Sequence, residues 1–128
     1  LVEAYVPRDA GPAWAQLEAW SNQLFASRDI DASLGSRVGK FLSDAGVVAI
    51  TQRDDALPIG PYGGRVGQMM AMDMSSVYRL AVPAFVQGLG LDQRQIAETL
   101  GQADEEVQSG QYQGIAPIYI AYGQRPVR

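Results

Sequence analysis

An α/β fold is predicted by three apolar runs, Leu1–Val6, Val47–Thr51 and Ile115–Tyr122, with helical periodicities between them. A short apolar run without clean alternation reads as a strand buried on both faces. The predicted order is strand, helix, helix, strand, a long helical insertion, strand. Size and composition agree with one packed unit: 128 residues, 47% hydrophobic and 19% charged, are the values of a single globular domain. No repeat, low-complexity stretch or linker divides the chain, so residues 1–128 read as one unit with 60–112 as a helical insertion.

Each element has its own signal. Pro7 and the loop to Pro12 end the first strand, and Pro12 suits the first turn of a helix because its missing N–H is unpaired there anyway. Trp14, Leu17, Trp20, Leu24 and Phe25 recur at helical spacing and predict a helix over 13–27. Ser33 is placed to cap a second helix carrying Leu34, Val38, Phe41, Leu42 and Ala45, with Gly46 as its left-handed terminator. The strand at Val47–Thr51 extends toward Ile59. After the hinge Gly60-Pro61-Tyr62-Gly63-Gly64, a long helix is expected over 65–87, kinked or divided at Pro83. Asp92 caps another over 93–100, with a break at Gly101 and a last helical turn opened by Asp104-Glu105-Glu106. Pro117 is awkward inside the final strand, where a bulge or a late start is expected.

Composition narrows the chemistry. The chain has no histidine and no cysteine, which removes the usual general base, the Ser-His-Asp triad, thiolate catalysis, disulfides and most zinc sites. The net charge of −4 speaks against a nucleic-acid surface or an anionic membrane as partner. No run reaches 18 apolar residues and none reads as a basic-then-apolar leader, so a cytoplasmic location is expected. The chain opens inside a strand, which reads as trimmed, with a further piece of the natural protein expected upstream.

Several features invite a functional reading and have a plainer one beside it. Gly88-Leu89-Gly90-Leu91 lacks the preceding strand of a dinucleotide loop and reads as a helix end. Met69, Met70, Met72 and Met74 crowd one helix, as core filling or as the wall of an adaptable apolar pocket. Tyr62 and Arg65 lie beside them, and an arginine in the first turn opposes the helix dipole. Trp14 and Trp20 are six apart, one expected in the core and the other at a lid or interface. Asp54-Asp55 reads as a solvated turn rather than a catalytic pair, and Tyr119 and Tyr122 as packing residues.

One phrase resembles a known family. Asp31-Ala32-Ser33-Leu34-Gly35-Ser36-Arg37-Val38, followed by Phe41-Leu42-Ser43-Asp44-Ala45-Gly46-Val47, is similar to the helix leading into the sixth strand of class I S-adenosylmethionine-dependent methyltransferases. Leu57-Pro58-Ile59-Gly60, Leu91-Asp92-Gln93 and the ending Tyr122-Gly123-Gln124-Arg125-Pro126 resemble later segments of that family. Val47 stands where the family more often has Phe, and Gln124-Arg125 where it has Arg-Lys. The resemblance implies the C-terminal half of a Rossmann-like methyltransferase sheet, with strands five, seven and six side by side. It covers nearly the whole chain but not the family's glycine-rich cofactor loop. It therefore implies S-adenosylmethionine as cofactor, no cofactor-binding residue in this chain, and a substrate-side role toward a small, largely apolar molecule. The implied substrate contacts are Tyr62, Arg65, Met69 and Met70, then Tyr5 and Pro7. No catalytic residue is assigned, and no metal ligand.

Two other readings use the same residues. A non-enzymatic α+β module could hold an apolar ligand or a partner helix against the methionine-rich segment. An association domain could pair the edge of Leu1–Val6 with a missing half or another chain.

Overall fold

The computed structural model describes residues 8–31 and 34–127 and the backbone of 2–4. Among the described residues it is a mixed α/β structure of three strands and four α-helices: β1 (Val2–Ala4), α1 (Pro12–Ser27), α2 (Val38–Asp44), β2 (Val48–Ile59), α3 (Gly64–Leu89), α4 (Gln93–Gln108) and β3 (Gly114–Gln124). Short 3-10 turns at Leu34–Arg37 and Pro61–Gly63 lead into α2 and α3. The strands form one sheet in the order β1-β3-β2, and β3 is antiparallel to both neighbours.

The register explains how two prolines sit in this sheet. Arg8 and Ile115 exchange N–H···O bonds of 2.8 and 2.9 Å. Alternate residues of a strand direct their backbone groups to alternate neighbours. Ile115 and Pro117 therefore face the N-terminal segment, and Pro117, opposite Ala56, costs the β2–β3 ladder no hydrogen bond. The expected bulge or late start is not needed: β3 begins at Gly114 and keeps register with β2 through Pro117. By the same alternation Pro58, opposite Ile115, turns its nitrogen outward. This lets β2 run unbroken to Ile59.

The helices divide between the two faces. On one face α1, α3 and α4 enclose the main core, in which Leu17, Ile59, Phe85, Ile96 and Ala116 are almost wholly buried. Trp14 stands edge-on to Tyr78, 5.4 Å between centroids at 76°, and its indole N–H donates to Ala103 O at 2.9 Å. Trp20 leans on Phe85 at 6.2 Å. Both tryptophans are thus core residues, which corrects the expected split: α1 lies against α3 and α4 together and buries a broad face. On the other face Gln52 fixes α2, accepting from Gly39 N–H at 2.8 Å and donating to Ser36 O at 3.1 Å.

Other expectations shift for local reasons. The second helix starts as a 3-10 turn and becomes α-helical only at Val38; its expected cap, Ser33, lies outside the described residues. Gly46, at φ +90°, ends α2 as expected, with Val47 N–H bonded to Leu42 O and Gly46 N–H to Ser43 O, both 3.0 Å. Pro83 does not divide α3, where it sits on an exposed side. Gly101 does not break α4, because Ile96, Leu100, Ala103 and Val107 carry one buried stripe across it. The acidic triplet therefore lies near the C-terminal end of α4. Asp54 and Asp55 are in β2, not a turn, and both are exposed. Asp92 caps α4 by accepting from Arg94 N–H at 2.9 Å.

Candidate functional site: the end of the sheet and the recess between α3 and α4

Four elements meet where β2 ends and β3 begins. Gly60 N–H donates to Gly67 O at 2.9 Å, tying the end of β2 to the first turns of α3. A side chain at Gly67 would overlap Gly60 O, so only glycine lets the two backbones meet. Tyr62, in the intervening 3-10 turn, donates its hydroxyl to Gly114 O at the start of β3. Across the junction, Glu106 Oε2 accepts the N–H of Ala13 at 2.9 Å. Glu106 thereby serves as the missing side-chain cap of α1, whose own N-cap is Gly11.

Beside this junction, α3 and α4 leave an open recess of about 290 Å³. Its walls include Trp14, Met72, Ser75, Asp104, Val107 and Gln108. Ligand sites of roughly 300–1,000 Å³ hold small molecules, and the recess falls just below that range. Arg79 bonds both Ser75 Oγ, at 3.3 Å, and Asp104 Oδ2, at 2.5 Å. Gln108 reaches across to Gln68, Nε2 to Oε1, at 3.1 Å. The recess thus offers an apolar floor with hydroxyl, amide and carboxylate groups at its mouth.

The residues expected to touch substrate do not converge. Tyr62 is at the sheet end. Arg65 is exposed in the first turn of α3. Met69 and Met70 share a shallow groove with Met72, Asp73 and Ser76, but Met69 is 60% exposed while Met70 packs against the core. Met74 is core filling. Tyr5 and Pro7 lie outside the described residues.

Sequence reasoning missed Trp14, Asp104 and Gln108 as parts of one recess and Glu106 as a cap. The signal for Glu106 was the bare Gly11 N-cap, but its partner is 93 residues away. Burial pushes the Glu18 carboxyl up, and the charge of Arg8 partly opposes this. The described residues hold no cluster of metal-ligating side chains, and no helix among them is long and apolar enough to cross a membrane. Comparisons of the chain with protein-family models, with curated proteins and with solved structures find no match in any of the three.

Proposed function

We propose that the chain is the substrate-side half of an S-adenosylmethionine-dependent methyltransferase acting on a small, largely apolar molecule. The observation that carries this reading is the sheet order. The strand last in sequence, β3, lies between β1 and β2 and is antiparallel to both. That is the arrangement the resemblance implies for strands five, seven and six, with α2 between the first two in sequence and a helical insertion before the third. The recess between α3 and α4 belongs to that insertion, and in this reading it and Tyr62 form the substrate face. Methyl transfer from a sulfonium asks the protein mainly for alignment, which suits a chain without histidine or cysteine.

The glycine-rich turn of this chain does not offer a loop for that cofactor. The glycine-rich turn at Gly60–Gly64 is closed on itself: Gly60 N–H is taken by Gly67 O, Gly63 N–H by Gly60 O at 3.2 Å, and the space over Gly63 is filled by Pro58. In the methyltransferase reading the cradle is supplied from outside this turn.

Titration calorimetry tests the reading. The complete protein is expected to bind S-adenosylmethionine, with affinity in the micromolar-to-millimolar range usual for enzyme substrates, and residues 1–128 alone are not. A complete protein that ignores the cofactor overturns the proposal. If that protein still binds an apolar probe, the binding-module reading replaces it.

A further inference from the structure

We infer that the outer face of α3 is a self-association surface whose partner is a second copy of this chain. The inner face of α3 buries Gly67, Ala71, Met74, Tyr78 and Phe85. On the opposite side, at 100° per residue, Val66, Met69, Val77 and Leu80 stand exposed, Leu80 by 83%. Single exposed apolar residues need no explanation, but a strip along one helix does.

The charges in the strip identify the occupant. Arg65 and Asp73 flank Met69, four residues to either side. Among the described residues neither takes part in an ion pair. Residues four apart form a ridge, and the commonest helix packing sets such ridges side by side at about −50°. A two-fold axis perpendicular to α3 beside Met69 reverses the direction of the second helix. Arg65 and Asp73 each lie about 6 Å along the helix from Met69, on opposite sides of it. The axis therefore sets Arg65 beside Asp73 of the second copy, and Asp73 beside its Arg65. One ridge, Arg65-Met69-Asp73-Val77, is thus complementary to itself in the antiparallel arrangement, and self-complementarity of one patch is what an isologous interface requires. A parallel partner would set arginine against arginine. This surface adjoins the recess, with which its groove shares Met72 and Ser76, but its pairing does not depend on the methyltransferase reading.

The test is sedimentation equilibrium of the complete protein, with circular dichroism confirming that each variant folds. The wild type is expected to be a dimer. Arg65→Asp and Asp73→Arg, each setting like charges together, are expected to weaken it roughly tenfold or more, and Met69→Lys to dissociate it. Combining the two charge reversals is expected to restore the dimer, because the pairs re-form with their signs exchanged. A monomeric wild type, single variants that remain dimeric, or a double variant as weak as the singles would each overturn the proposal. A monomer that instead binds an unrelated amphipathic helix through Met69 would assign the face to a different partner.

Discussion

Glu106, near the end of α4, closes the start of α1: its Oε2 accepts the Ala13 N–H at 2.9 Å across 93 residues. A Cβ on Gly11 would lie 2.5 Å from the same oxygen, so the bare N-cap and the distant carboxylate fit together. Glu106→Ala is expected to cost about 1–2 kcal/mol, the worth of a lost cap with a charged acceptor. Glu106→Gln should lose less, since an amide oxygen still accepts. Gly11→Ala should cost at least as much as Glu106→Ala, because its φ of +116° adds strain to the clash. Urea unfolding at neutral pH checks the ranking.

Gly67→Ala is expected to be the most damaging single-methyl change at the sheet end. The added carbon would meet the backbone oxygen of Gly60, which no rotamer change can relieve. A loss of about 3 kcal/mol or more is expected, read as a fall in the denaturation midpoint with an unchanged slope. By contrast Gly101→Ala, where nothing lies within 4 Å, should stabilise α4 by up to about 1 kcal/mol.

Trp14→Phe separates packing from hydrogen bonding in the core. The ring contact with Tyr78 is kept in part, while the indole bond to Ala103 O is lost. Ala103 lies inside α4, so its carbonyl keeps a helical partner and is not orphaned. The expected cost is therefore about 2 kcal/mol, from one net hydrogen bond and a small cavity. A cost of 4 kcal/mol or more in the same unfolding assay would show that the carbonyl depends on the indole.

Glu18 makes a signed pH prediction. Burial raises its carboxyl, with Arg8 partly opposing, so the folded state holds this proton more tightly than the unfolded chain does. Stability then falls as pH rises from the ordinary glutamate range through the raised value, and levels off above it. Glu18→Gln is expected to remove that fall and to be the more stable protein at neutral pH. Arg8→Gln should deepen the fall and extend its upper end to higher pH. Denaturation midpoints measured between pH 4 and 8 (roughly the span around a raised glutamate) decide it.

The elements were legible because each carries a local pattern. The stripe from Ile96 to Val107 shows why Gly101 misleads: a glycine costs a helix about 1 kcal/mol, and four buried apolar residues outweigh it. Asp54 and Asp55 look like a turn in isolation, but they are exposed residues of an outer strand, where charge is tolerated. Trp20 could not be placed from spacing alone, since its burial depends on where Phe85 falls in α3. The sheet end was least legible. Tyr62 was singled out for its neighbours in sequence, yet its partner is Gly114. The recess draws Trp14, Met72 and Asp104 from three helices, and no spacing rule relates them.

The border of the sheet at β2 is guarded against other extended chains. Along the outer side of β2, Pro58 offers no donor, Arg53, Asp54 and Asp55 stand exposed, and the strand breaks register between Val48 and Thr51, where Ala49 has φ +51°. These are the devices that keep a free edge from templating aggregation. A polypeptide adding itself to this sheet at β2 would meet a missing donor, exposed charge and a broken register, so that border is closed to it.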